Sequence, residues 1–185
     1  MTPEARRALW LAVFGVLYVC AQCSWASHMS LRGGKPDFIL VYALIFAQFS
    51  PLASAASVGF AAGLLTASLA GPVASGGPIA RSIAVTASGG FGSFIVSRTI
   101  ACSVVGWLEE RVYREHILSS VAIAFAGTLG AECLFFIFDP QRHATVWVRH
   151  LAYETVLNTL LSVPTYLLIY MAYNPGKLFR KRQLL

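Results

Sequence analysis

Between Phe38 and Ala80 the chain runs for 43 residues without a single charged side chain. A soluble fold has little use for such a stretch. At 1.5 Å per helical residue and a hydrocarbon core of about 30 Å, it is long enough for two bilayer crossings. Ser50-Pro51 supplies the natural break, because proline has no N–H to give a preceding helical turn. Two helices fit there better than one.

The remaining charges are spaced in the same way. Ala8 to Ser27 is uncharged, His116 to Asp139 contains only Glu132, and the segment from His150 to Tyr173 is again apolar for most of its length. Charged residues make up 12% of the 185, against about 25% in an average soluble domain. The reading is an all-α integral membrane protein, one polytopic domain of about six transmembrane helices in a compact bundle, with spans at 8–27, 37–50, 51–71, 80–104, 116–138 and 150–173. Residues 99–108 either extend the fourth helix or lie at the interface. A cleavable signal peptide competes for the N-terminus, since Arg6-Arg7 precede an apolar run. That run is longer than a typical signal h-region, and Trp25 sits beside the small residues that a cleavage site would use.

An even number of crossings places both termini on one side, so alternate loops can be compared for Lys and Arg. Of the 14 basic residues, nine fall on the side of the termini: Arg6, Arg7, Arg98, Arg111, Arg114, Lys177, Arg180, Lys181 and Arg182. Arg32, Lys35, Arg81, Arg142 and Arg149 fall on the other. Both termini are therefore expected to be cytoplasmic, in a bacterial inner membrane. The tail Lys177, Arg180, Lys181 and Arg182 is suited to anionic lipid headgroups, at about 1 kcal/mol per basic residue. No soluble segment is long enough to present a nucleic-acid recognition element. Trp10, Trp25, Trp107 and Trp147 fall near span ends, where an indole keeps its ring in the interface.

Several constellations invite a functional reading. Cys20-Ala-Gln-Cys23 has the spacing of a redox or zinc pair, but it lies in an apolar span, where a cysteine behaves as a small hydrophobe. Ala55, Gly59, Gly63, Ala67 and Gly71 recur every fourth residue and line one face of the third helix. In lipid such a face lets backbones approach closely, either within the bundle or against a partner's helix. Ala122, Ala126 and Gly130 repeat the device in the fifth span. His150, Glu154 and Asn158 form a polar stripe on the last helix, ahead of a proline, Pro164, that is expected to kink it. With Glu132 they make an intramembrane polar cluster that must face the bundle interior. It serves either as a clasp fixing helix register or as part of a proton or ion path.

Glu109-Glu110-Arg111-Val112-Tyr113-Arg114 resembles the EExxxR motif of CAAX-protease-like intramembrane glutamate proteases. The histidine motifs of that family are not matched: Phe138 to His143 is one residue too long for FxxxH, and His150 to Glu154 ends in the wrong residue for HxxxN or HxxxD. No Walker loop, HExxH or GxSxG is present. Neither an enzyme activity nor a cofactor or metal is expected.

Three segments carry a resemblance across most of the chain. Lys35-Pro-Asp-Phe-Ile-Leu-Val-Tyr-Ala-Leu places a Pro-Asp pair before a short apolar helix; Ser57-Val-Gly-Phe-Ala-Ala-Gly-Leu-Leu carries a G-x-x-x-G-L-L pattern ahead of a Gly-Pro turn at Gly71 to Pro78. The third, Glu154-Thr-Val-Leu-Asn-Thr-Leu-Leu-Ser-Val-Pro-Thr-Tyr, runs into the basic tail. Their order and spacing resemble the MreD family of rod shape-determining proteins. That family often has an aspartate after G-L-L, where this chain has Thr66-Ala67-Ser68. The resemblance implies a non-enzymatic scaffold of the cell-elongation machinery for peptidoglycan synthesis, beside an MreC-like protein and linked to MreB, RodA and a penicillin-binding transpeptidase. In outline the chain is also similar to the substrate-binding S components of energy-coupling-factor transporters, which implies vitamin transport as the alternative.

Overall fold

The computed structural model describes residues 2–26, 28–30, 34–69, 91–108, 116–138 and 144–174. Its elements are six helices: α1 (Pro3–Ser24), α2 (Phe38–Gln48), α3 (Leu52–Leu69), α4 (Phe91–Leu108), α5 (Ile117–Phe138) and α6 (Ala144–Tyr173). There is no strand among the described residues. Four of the helices, α1, α3, α5 and α6, are long and apolar enough to cross a bilayer, and α2 and α4 are shorter apolar helices. Residues 99–108 continue α4 as regular helix.

The interior combines an apolar core with buried polar side chains, while large apolar side chains cover the outside. Ser97, Arg98, Ser120, Thr128, Asn158, Ser162 and Thr165 are buried, whereas Leu9, Val13, Val16, Leu17, Leu118, Phe125, Ile137 and Leu160 stand exposed. Apolar exposure on this scale, on helices long and apolar enough to cross a bilayer, fits a surface that faces lipid. These polar side chains turn inward because hydrocarbon offers them no partner, while the exposed Ser57 and Ser68 donate to the Ala53 and Leu64 carbonyls of their own helix.

Helix α2 is the axis of the bundle. Its sequence is apolar on every side, which is the pattern of a helix enclosed by others, and nine of its 11 residues are buried. Asp37 starts it by accepting a hydrogen bond from the Leu40 N–H at 2.9 Å. It ends at Phe49-Ser50, and Pro51 opens the next helix by accepting from the Ala55 N–H. The core divides around this strut. Leu40, Leu44 and Ala47 pack toward Ala55, Ala62, Cys102 and Val105; Val41, Ile45 and Phe49 pack toward Leu11, Tyr166 and Ile169.

Helices α3 and α4 lie antiparallel and unusually close. A Cβ on Gly63 would stand 2.5 Å from the Ile95 Cα, one on Gly59 would stand 2.7 Å from the Arg98 carbonyl oxygen, and one on Gly106 would stand 2.5 Å from the Ala55 Cβ. No alanine fits at these points without the backbones parting. The face of Ala55, Gly59, Gly63 and Ala67 is thus covered by α4; Gly71 lies outside the described residues. The stripe Ala122, Ala126 and Gly130 on α5 faces outward instead, and a Cβ on Gly130 would meet nothing within 4 Å among the described residues.

Helix α6 continues through Pro164. The missing N–H there would have bonded to the Leu160 carbonyl. In the same turns, Ser162 Oγ donates to the Thr159 carbonyl and Thr165 Oγ1 to that of Leu161, so local hydroxyls take up carbonyl capacity around the proline. Helix α1 is the most loosely held. Thr2 caps it and Pro3 occupies its first turn, and Tyr42 Oη donates to the Leu11 carbonyl at 2.7 Å to tie it to α2.

Candidate functional site

The inward-facing polar groups converge at the N-terminus of α2. Pro36 is fully buried and restricts the chain there. The next residue, Asp37, makes three separate attachments. Its Oδ1 caps α2, its Oδ2 accepts from Arg98 Nη2 of α4 at 2.5 Å, and its backbone N–H donates to Asn158 Oδ1 of α6 at 2.8 Å. Asn158 Nδ2 in turn donates to Thr128 Oγ1 of α5 at 3.4 Å. One residue on, the Phe38 N–H donates to Gln22 Oε1 of α1 at 2.7 Å. Five helices are joined by these contacts. The first N–H groups of α2 cannot be satisfied within the helix, and the neighbouring spans supply acceptors for them.

Arg98 is the charged centre of this node. It is 2% exposed, paired with Asp37, and its guanidinium carbon lies 4.8 Å from the centre of the Phe94 ring. Phe94 packs against Phe135 of α5 with ring centroids 4.4 Å apart and the planes tilted by 36°. In antiparallel helices one turn beyond that contact brings Arg98 level with Glu132. The field of Glu132 and Glu154 reaches the guanidinium, as does that of Asp37. Arg98 Nε and Nη1 and Thr155 Oγ1 are buried without hydrogen-bond partners among the described residues. A cation at this depth needs its counter-ion, because its desolvation otherwise costs several kcal/mol.

The residues expected from sequence divide between this node and its edge. Asn158 is a member, and Glu132 is buried on the inner face of α5. Glu154 and His150 are half-buried one and two turns before Asn158. The coil at 34–37 lies directly on their helix: a Cβ on Gly34 would stand 2.6 Å from the Tyr153 Cβ, 3.0 Å from the Glu154 nitrogen and 3.2 Å from the His150 carbonyl oxygen. Only glycine lets the coil lie so close.

Two central residues were not singled out as a site. Arg98 enters the topology count as a loop residue, and the structure corrects that assignment, since it lies within α4 and faces inward. Without it the basic excess is eight against five, and its sense is unchanged. Asp37 is expected only to open the second span, and the structure buries it at the head of α2. A signal existed for Arg98, which is the only charge in the 27 residues between Arg81 and Glu109. Two further inward contacts lie below the node: Ser120 Oγ donates to Gln48 Oε1 at 2.6 Å, and Tyr18 Oη and Thr165 Oγ1 are 2.6 Å apart.

Cys20 and Cys23 are free and exposed, as is Cys133, while Cys102 is free and buried. Among the described residues no three or more His, Cys, Asp or Glu side chains are grouped to hold a metal. Trp10, Trp25 and Trp107 project outward near helix ends, whereas Trp147 stacks on Phe136 with its indole N–H buried. The sequence 109–114 and the tail residues Lys177, Arg180, Lys181 and Arg182 lie outside the described residues. Comparison of the chain with family models, with characterised proteins and with solved structures finds no match in any of the three.

Proposed function

We propose that this chain is a non-enzymatic scaffold of the bacterial cell-elongation machinery, embedded in the inner membrane with six crossings and both termini cytoplasmic, and engaging a membrane helix of an MreC-like partner. The observation that carries the reading is the outward stripe of Ala122, Ala126 and Gly130 on α5. It is exposed along its length, and Gly130 faces open space. In lipid, apolar area alone does not bring helices together; close backbone approach at small residues does. Cys133 is exposed one turn beyond Gly130 on the same side of α5, with exposed Phe125 and Ile137 flanking. The polar node supports the same reading. Asp37, in the first of the segments that carry the family resemblance, joins its own helix to α4 and α6, and Asn158 and Phe38 extend that node to α5 and α1.

The test is co-purification with the MreC-like protein of the same organism. Ala126→Leu with Gly130→Leu should abolish it while the variant still inserts and runs as the wild type in detergent. In a Cys20→Ser, Cys23→Ser background, Cys133 should cross-link to a single cysteine placed in the partner's membrane helix. Retention of the partner by the leucine variant, with no cross-link from Cys133, refutes the assignment.

A further inference from the structure

The polar node carries hydrogen-bonding capacity that the chain itself does not match, a feature independent of the partner reading. Asp37 occupies Arg98 Nη2, whereas Arg98 Nε and Nη1 and Thr155 Oγ1 have no hydrogen-bond partner among the described residues. Both residues are 2% exposed. Interiors seldom leave such groups unmet, because their lost hydration is then uncompensated.

These atoms belong to one place in the fold. Thr155 lies one turn before Asn158 on the buried face of α6. Asn158 Oδ1 holds the Asp37 N–H, and the Asp37 carboxylate holds Arg98. The coil that leads to Asp37 covers the same turn of α6, where a Cβ on Gly34 would stand 3.0 Å from the Glu154 nitrogen. The hydroxyl of α6 and the guanidinium of α4 therefore both lie beside Asp37.

The sense of the hydrogen bonds selects the occupant. Guanidinium N–H groups can only donate, while a hydroxyl donates or accepts. A metal cation accepts nothing from a guanidinium and is repelled by it. An anion would find Arg98 already paired with Asp37, and the carboxylates of Glu132 and Glu154 already act on the same guanidinium. A neutral molecule that accepts from Arg98 and exchanges a hydrogen bond with Thr155 meets both conditions. It must also be small, since the Phe94 ring lies 4.8 Å from the guanidinium carbon and the coil is pressed onto α6. Water has this size and this capacity, and buried waters settle where two to four polar groups converge.

We propose that bound water bridges the Arg98 guanidinium to Thr155 Oγ1 and so ties α4 to α6 beside the Asp37 pair. The test is solid-state nuclear magnetic resonance of the full chain in lipid bilayers with isotope-labelled arginine, reading magnetisation transferred from water to the side-chain nitrogens. Arg98 is recognised by its through-space contact with the Phe94 ring. In the wild type, Arg98 Nε or Nη1 should receive magnetisation from water that exchanges more slowly than the water at the exposed Arg6. Thr155→Val keeps the shape and removes the hydroxyl; it should lose the slowly exchanging component while the Phe94 contact persists, and Thr155→Ser should retain that component. No water transfer to Arg98 in the wild type, the same transfer in Thr155→Val as in the wild type, or a contact from Arg98 to a bound organic molecule in place of water would each overturn the proposal. The wild-type measurement stands by itself should the valine variant fail to fold.

Discussion

The Asp37–Arg98 pair should show strong energetic coupling, and a double-mutant cycle measures it. Both side chains are buried and joined at 2.5 Å, so removing either charge strands the other in a medium that cannot solvate it. Breaking a buried pair from one side costs about 3–5 kcal/mol. Asp37→Asn keeps an oxygen to cap the Leu40 N–H and loses only the charge, so its expected cost is within that range. Arg98→Met removes the guanidinium while retaining bulk against Phe94, and strands the carboxylate at similar cost. Asp37→Ala should be worse by about 1 kcal/mol, because the cap of α2 goes as well. The double variant Asp37→Asn, Arg98→Met buries no charge at the pair and should lie within about 2 kcal/mol of the wild type, since well-packed neutral replacements of a buried pair are often tolerated. Additivity would predict about 6–10 kcal/mol for the same protein. Stability is read from unfolding in mixed micelles as the fraction of denaturing detergent rises, followed by helical circular dichroism. Single-variant losses that add to within about 0.5 kcal/mol would refute the coupling. The network would then be a set of independent contacts.

The glycines offer a contrast of sign. Gly63→Ala forces a Cβ to within 2.5 Å of the Ile95 Cα and should cost about 1–3 kcal/mol by overpacking, while Gly130→Ala meets open space and should gain up to about 1 kcal/mol from helix propensity. Equal effects in the same unfolding assay would contradict the α3–α4 contact. In mild detergent, a maleimide should add to three cysteines, Cys20, Cys23 and Cys133, and reach Cys102 only after denaturation; rapid addition of a fourth label would show that α4 does not bury Cys102 against α3.

Much of the architecture was legible because lipid leaves few options. The uncharged 43-residue stretch, broken at Ser50-Pro51, contains the whole of α2 and of α3, and the Pro-Asp pair immediately precedes α2, with Asp37 as its cap. Of the expected stripe His150, Glu154 and Asn158, Asn158 is buried while Glu154 and His150 are half-buried at the edge of the node; polar groups at depth seek one another. The central place of α2 was harder to read. An apolar run has no periodicity to show which neighbour it meets, and only its all-round hydrophobicity hints at enclosure. Arg98 was obscured by the topology rule, which treats every basic residue as belonging to a loop. A buried arginine depends on a counter-ion 61 residues away in sequence, and no local pattern records that partner.

The two small-residue stripes carry the same sequence signal and meet opposite fates, and the rest of each helix decides which. On α5 the opposite face bears Ser120, Thr128 and Glu132, all buried. Turning that face to lipid would expose a carboxylate and two hydroxyls to hydrocarbon, at several kcal/mol for the charge alone. The polar face therefore takes the interior, and the small residues are left outside. On α3 no acid or base competes, and the outward side carries Leu52, Phe60, Leu64, Leu65 and Leu69. There the small face is free to turn inward, where Gly106 and Cys102 of α4 let the backbones close. The outward stripe of such a helix is thus the one that its own polar residues force to the surface, so a spacing of four needs the opposite face before it can be assigned.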